Sequence, residues 1–280
     1  MLLELAVGDA YGAGFEYAEP AFVAEFNTGD HYVQHRKHHD ISPGDYTDDT
    51  QMTLAIAELL VDGDAWTREN LADRFVEVYR RDERYGYSTR IHTLLRTVRD
   101  GAELLATVDD NSDRSGAAMR VAPIGLLAEV ADTLRYADVQ ARVTHDTEDA
   151  VVAAQAAALA VHYCHHRLGP TSDLPRWLDD RLPGDWASPW QGPVGAQGLM
   201  SVHAAVTALA GATRLSALLR TCVAYTGDVD TVAAIALAAG SRAADLAQDI
   251  PRSLHDGLEN GRFGRDYCIA LDARLLNALS

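Results

Sequence analysis

The stretch AVVAAQAAALAVHYC, residues 150–164, constrains this chain more than any other. Alanine has the best helix propensity and loses no side-chain entropy in a helix. The run is apolar on nearly every face, broken only by Gln155 and His162, and reads as a buried core helix. It falls short of the ~20 residues a membrane span needs. Apolar residues recur at three- and four-residue spacing over 50–61, 69–80, 88–99, 117–130, 147–166, 198–210, 214–224 and 229–247. Alternating Val- and Ile-rich runs are scarce. The expected fold class is all-α, a multi-helix single domain over 1–280, with 48% hydrophobic residues to fill its core.

The breakers SPGDY, VDGDAW, LGPTSDLP and LPGDWASPWQGPVG separate helices rather than strands. The Pro/Gly/Trp-rich segment 169–198 reads as a loop packed onto the body through Trp186 and Trp190 rather than a linker. Net charge is −17, from 24 basic and 41 acidic side chains. That balance argues against non-specific binding to nucleic acid or an anionic membrane. The N-terminal MLLELAVGDAYGAG has no basic n-region and carries Glu4 and Asp9, so it does not read as a signal peptide. Cys164, Cys222 and Cys268 lie far apart and read as buried, reduced thiols. The expectation is a cytoplasmic protein, monomeric, with no membrane or nucleic-acid partner.

Two apolar helices are opened by paired acids. In GDYTDDTQMTLAIAELL (44–60), Thr47 is placed as an N-cap, with Asp48 and Asp49 in the first turn. Alone this motif is more often a cap than a metal site, because acids there meet the helix dipole favourably. In YTGDVDTVAAIALAAGS (225–241), Asp228, Asp230 and Thr231 repeat the arrangement. A third piece, GDAYGAGFE, reads as a glycine-rich loop that brings Asp9 and Glu16 near a helix end. Together the three offer Glu16, Asp48, Asp49, Asp228 and Asp230 as carboxylates, with Thr47 and Thr231 as hydroxyls. Buried side by side, such charges would be very costly without cations. An all-oxygen set selects Mg²⁺, Mn²⁺ or Ca²⁺. Five carboxylates suit two bridged cations, ~3.5–4 Å apart, better than one.

Other residues carry weaker signals. Ser115 and Gly116 open a short helical run, where free N–H groups suit a phosphate, although a plain cap is the simpler reading. His31, His35, His38 and His39 sit in HYVQHRKHHD, which reads as a solvated loop. HYCHH (162–166) ends a buried helix, where histidines complement the C-terminus. The chain has no nucleophile elbow, Walker loop or Rossmann fingerprint.

GDAYGAGFE, YTDDTQMTLAIAE, SGAAMRVAPIG, VTHDTEDAV and GDVDTVAAIALAAGS, in this order, resemble the ADP-ribosylglycohydrolase family. The resemblance runs from about Val7 to LENGRFG near 258–264. It implies the compact all-α fold of that family and a centre of two Mg²⁺ or Mn²⁺ ions. The implied metal ligands are Glu16, Thr47, Asp48, Asp49, Asp228, Asp230 and Thr231. It implies ADP-ribose, or an ADP-ribosylated protein or small molecule, as partner. Ser115, Gly116, Ala117 and Met119 would take the diphosphate, with His145 beside the ligand. The expected reaction is hydrolysis at C1″ of ADP-ribose; the residues themselves suggest Glu16 as acid/base or gating carboxylate, Asp48 and Asp230 as bridging or water-orienting catalytic carboxylates, and Gly12 and Gly14 as hinges of a mobile Glu16 loop. The other readings are a relative that binds without turnover and a hydrolase of free ADP-ribosyl or nucleoside metabolites. The chain departs from the family at Ser115-Gly116, where many members have Asn-Gly, and at Thr226 and Val229. Arg84, in RRDERYGYSTR, stands near the place where the nitrogenase-directed branch has an acid, which bears on the choice of linkage.

Overall fold

The structure, a computed structural model, describes residues 1–279. Its central helix covers the alanine-rich run, from Glu148 to His165. Thr147 caps it, its hydroxyl accepting from the Ala150 N–H at 3.2 Å. In chain order the α-helices are α1 Leu2–Ala13, α2 Pro20–Phe26, α3 Asp48–Asp62, α4 Arg68–Arg81, α5 Thr89–Thr97, α6 Gly101–Thr107, α7 Gly116–Met119, α8 Val130–Ala141, α9 Glu148–His165, α10 Leu174–Asp179, α11 Gly198–Ala210, α12 Leu215–Ala224, α13 Val229–Gly240, α14 Arg252–Gly257 and α15 Arg265–Ala278. Among the described residues the only β-pairings are isolated bridges. The all-α expectation holds, and a single apolar core runs through the whole helix set. Among the described residues no helix is long and apolar enough to cross a membrane. The three cysteines are buried and free.

The core has its tightest seam between α1 and α13. Every residue of α13 is buried. A Cβ on Gly8 would lie 2.5 Å from Ala233 O, and one on Gly12 would lie 2.3 Å from the Asp230 Cα. Glycines four apart thus clear one face of α1 and let the two backbones meet. This corrects two expectations. GDAYGAG belongs mostly to a helix rather than to a loop, and Gly12 is a packing glycine inside it rather than a hinge. Gly14 caps that helix in ordinary αR geometry, and a Cβ there would press on Val33 O at 2.6 Å.

Two further segments differ from their periodicity. The pattern over 117–130 is broken into α7 and a 3-10 turn at Ala122–Leu126, and α8 starts only at Val130. Pro123 explains the break, since it lacks an N–H and turns the residue before it away from the helical region. The pattern over 229–247 stops at Gly240. There the Gln248 side chain donates to Gly240 O at 3.1 Å and to Leu246 O at 3.2 Å, satisfying a terminal carbonyl the helix leaves open. The segment 169–198 packs onto the body as predicted. Trp186 is buried, and the Trp186 and Trp190 rings each lie 5.7 Å from His203.

Candidate functional site

The α1–α13 seam sets the site. Asp9, one turn before Gly12, is fully buried and points at the mouth of α3. Its carboxylate accepts from the Thr47 and Thr50 N–H groups, both at 3.0 Å, and from their hydroxyls at 2.7 and 2.5 Å. Thr47 stands at the N-cap position but its own side chain makes no capping bond. The cap comes instead from another helix, and the Thr47 hydroxyl is a donor to it. Asp48 and Asp49, in the first turn of α3, line the cavity.

α13 presents the matching acids. Asp228 accepts from Ser201 Oγ at 2.8 Å. Oxygens offered by Glu16, Asp228 and Asp230 lie within 4.8 Å of one another. Asp49 Oδ1 and Asp230 Oδ1 are buried with no hydrogen-bond partner. Among the described residues no cationic side chain pairs with any of the five acids. Burial, then the charge of Asp228, pushes Glu16 up to about 7. Burial and neighbouring carboxylates hold Asp48, Asp49 and Asp230 well above the ordinary carboxylate range, and burial raises Asp228. Orphaned carboxylate oxygens crowded at this depth fit hard divalent cations, which would supply the missing positive charge.

The acids form one wall of a cavity of about 530 Å³, the size of a small-molecule site. Ser115, Gly116, Met119 and His145 line it elsewhere, with Phe75, Ile91 and Leu95 as an apolar patch. The Ser115 turn is tied to the 194–197 segment, Ser115 N donating to Ala196 O at 3.0 Å. That segment is tied in turn to the acids, since Asp228 N donates to Val194 O at 3.1 Å. A model of the ADP-ribosylglycohydrolase family matches residues 1–279. The chain belongs to the ADP-ribosylglycohydrolase family.

Its similarities are consistent with that membership. It is 33% identical over 166 residues to an uncharacterized protein of Archaeoglobus fulgidus, covering 57% of this chain and 53% of the relative. It is 31% identical over 172 residues to ADP-ribosylhydrolase ARH3 of Mus musculus, covering 56% of this chain and 45% of that protein. The chain thus spans about half the length of these curated relatives. A solved structure described as an ADP-ribosylglycohydrolase-related protein complex superposes with a TM-score of 0.78 at 25% identity, over 100% of this chain and 96% of that one.

Within this ADP-ribosylglycohydrolase fold, most of the residues singled out in the sequence converge. Glu16, Asp48, Asp49, Asp228, Asp230, Thr231, Ser115, Gly116, Met119 and His145 all line the cavity. Two do not. Thr47 is buried behind the acids, and Ala117 is fully buried with its carbonyl accepting from Gln140 Nε2 at 2.9 Å. The Ser115 amide is spent on Ala196, so the open N–H groups of that turn are those of Gly116 and Ala117. Arg84 does not line the cavity either. It pairs with Asp82 and Glu259, each at 2.7 Å, and stacks on Tyr46.

Several residues of the site carry little signal in the sequence, among them Arg120 and Thr144 on the cavity wall. Asp9 was seen as an acid near a helix end, not as the cap of α3. Gly86 sits at φ +103, and a Cβ there would lie 2.1 Å from Asp48 Oδ1. His35 is buried, against the expectation of a solvated loop. Its Nδ1 accepts from the Lys37 and His38 N–H groups at 3.0 and 2.8 Å, so its proton is on Nε2, which donates to Glu16 O at 2.7 Å. With Tyr17 N bonded to Gly227 O at 2.8 Å, the Glu16 loop is tethered on both sides. A lone acid in an apolar helix, a glycine between tyrosines and a histidine followed by open amides were the only signals available.

Proposed function

We propose that this chain is a metal-dependent hydrolase that cleaves the glycosidic bond at C1″ of ADP-ribose, removing ADP-ribose from a modified protein or small molecule. One observation carries the reading: orphaned, uncompensated carboxylates share a cavity of about 530 Å³ with the Ser115–Gly116 turn and His145. Family membership supplies the substrate class. Glu16, Asp48, Asp49, Asp228, Asp230 and Thr231 would hold two Mg²⁺ or Mn²⁺ ions, with Thr47 behind them. Cations held there would supply Lewis acidity on the ribose side of the scissile bond.

The protein groups contribute the rest. Attack at C1″ develops positive charge on the sugar, which Asp48 and Asp230 on the cavity wall would stabilise. Glu16 titrates near neutrality in the absence of cations and is the carboxyl best poised to exchange a proton there. The same carboxyl is offered to the metal cluster, so protons and cations compete for it. The Gly116 amide, on the cavity wall, would take the diphosphate, and Met52, Phe75 and Ile91 would exclude water from the apolar end.

The test is release of ADP-ribose from arginine-, serine- and acetyl-linked substrates, with Mg²⁺ or Mn²⁺ and with chelator. The expected result is release from at least one linkage that chelation abolishes. No release from any of them by folded, metal-loaded protein would overturn the reading.

A further inference from the structure

Arg120 is a buried guanidinium with no carboxylate within ion-pair distance among the described residues. It lines the cavity, stacks over Phe75 with its Cζ 4.3 Å from the ring centroid, and spends its donors on neutral oxygens. Nε donates to Gln140 Oε1 at 2.7 Å, and Nη2 donates to Gln140 O and to Thr144 Oγ1, both at 2.9 Å. Thr144 Oγ1 then lies 2.7 Å from His145 Nδ1.

Donor arithmetic decides the direction of that last bond. A guanidinium only donates, so Thr144 Oγ1 must accept from Arg120. Thr144 is buried and has no other hydrogen-bond partner, so its own hydrogen has one acceptor in reach, the Nδ1 lone pair. If Nδ1 carried the proton instead, the threonine hydrogen would be buried unpaired, which costs more than the alternative. The imidazole proton is therefore on Nε2. The charge of Arg120 behind Thr144 reinforces this arrangement, since a second positive charge on the ring would be repelled. Burial first, and then Arg120, Arg90 and Arg114, push His145 down to about 3.

The Nε2 edge is the one left open. It makes no hydrogen bond in the structure and is not among the enclosed polar atoms. It lies along the Gly116 backbone, where a Cβ would be 2.7 Å from Cε1 and 3.0 Å from Nε2. Only glycine at 116 leaves that edge facing the cavity.

We infer that Arg120 and Thr144 are positioning residues that lock His145 as a neutral imidazole offering an Nε2–H donor to an acceptor oxygen of the ligand beside Gly116. The lock belongs to the protein alone. Its use on ADP-ribose rests on the proposed function.

The experiment is ¹⁵N NMR of histidine-labelled, ligand-free protein at pH 7, with the His145 signals identified by their loss in His145→Gln. Non-protonated Nδ1 and protonated Nε2 are expected in the wild type and in Thr144→Ser, which keeps the hydroxyl. Thr144→Val and Thr144→Ala are expected to give mixed tautomers and about five- to tenfold weaker ADP-ribose binding, the loss of one oriented hydrogen bond. A protonated Nδ1 or an imidazolium in the wild type would overturn the inference, and that spectrum decides even if the Thr144 variants do not fold. An unchanged tautomer in folded Thr144→Val would overturn the role of the threonine. A wild type with the expected tautomer that fails to bind ADP-ribose would instead sink the proposed function.

Discussion

The two walls of the cavity handle charge in opposite ways. On one side five carboxylates crowd together with no ion-paired cationic side chain, and the charge of Arg114 acts on Asp228 alone among them. On the other, Arg120 lies buried with no carboxylate in ion-pair contact, and only the field of Asp48 reaches it. A protein built only for stability would bring such charges together, because each pays desolvation alone. Here neither wall closes an ion pair with the other. The acidic wall fits something strongly cationic. The Arg120 wall spends its charge on orienting a neutral imidazole. The difference separates two kinds of site chemistry, attraction of an ion and alignment of a dipole.

The sharpest way to break the comparison is Asp230→Asn. Metal-dependent release of ADP-ribose is expected to fall on the order of 10³-fold, the loss of several kcal/mol of transition-state stabilisation. The metal-free variant should at the same time melt higher than the wild type, because a buried uncompensated charge is gone. A fall in both would mean that Asp230 is structural.

Next in size is Gly12→Ala. The added methyl would meet the Asp230 backbone, and overpacking of this kind costs about 1–3 kcal/mol. Denaturant unfolding should record that loss, with weaker metal binding alongside it. An unchanged midpoint would show the α1–α13 seam to be looser than its geometry.

A smaller effect is expected from pH. The folded-state value of Glu16, about 7, lies above its ordinary 4.5, so the native protein binds more protons than the unfolded chain. Stability from protonated Glu16 is complete below pH 4.5 and is lost as pH rises through about 7. Chelated protein should therefore melt lower at pH 8 than at pH 5, and added Mg²⁺ or Mn²⁺ should restore most at pH 8. Thermal scans in both conditions check this, and a pH-independent melting point would count against it.

The smallest effect belongs to Arg84→Lys. Arg84 is engaged by Asp82, Glu259 and Tyr46, away from the cavity lining. Linkage preference should be unchanged and turnover within about twofold, since the site geometry is untouched. A switch in preferred linkage would bring Arg84 back into substrate selection.

How much of this was legible in the chain depends on what kind of contact carried each feature. α3, α4, α9 and α11 announce themselves because their apolar spacing is a local property of the sequence. The acids of α3 and α13 were legible for a similar reason, as a doubled motif at two helix mouths. α1 was hidden because Gly8 and Gly12 look like loop residues until Ala233 and Asp230 are placed against them. The Asp9 cap was hidden because it spans 38 residues to Thr47. His35 looked solvated beside Arg36 and Lys37, and only the Glu16 carbonyl gives it a reason to be buried. Contacts that are long in sequence leave almost no trace in it.

The α1–α13 seam also has a meaning for synthesis. More than 200 residues separate Ala13 from Val229, so α1 waits through the synthesis of all of them before it meets α13. At roughly 5–20 residues per second, that wait is about ten to forty seconds. Throughout it, the Gly8 and Gly12 face of α1 lacks its lasting partner, although Asp9 can already meet Thr47 and Thr50. The nascent chain thus carries this face of α1 uncovered for most of its synthesis, and the acidic cluster assembles only after Asp228 and Asp230 have been made.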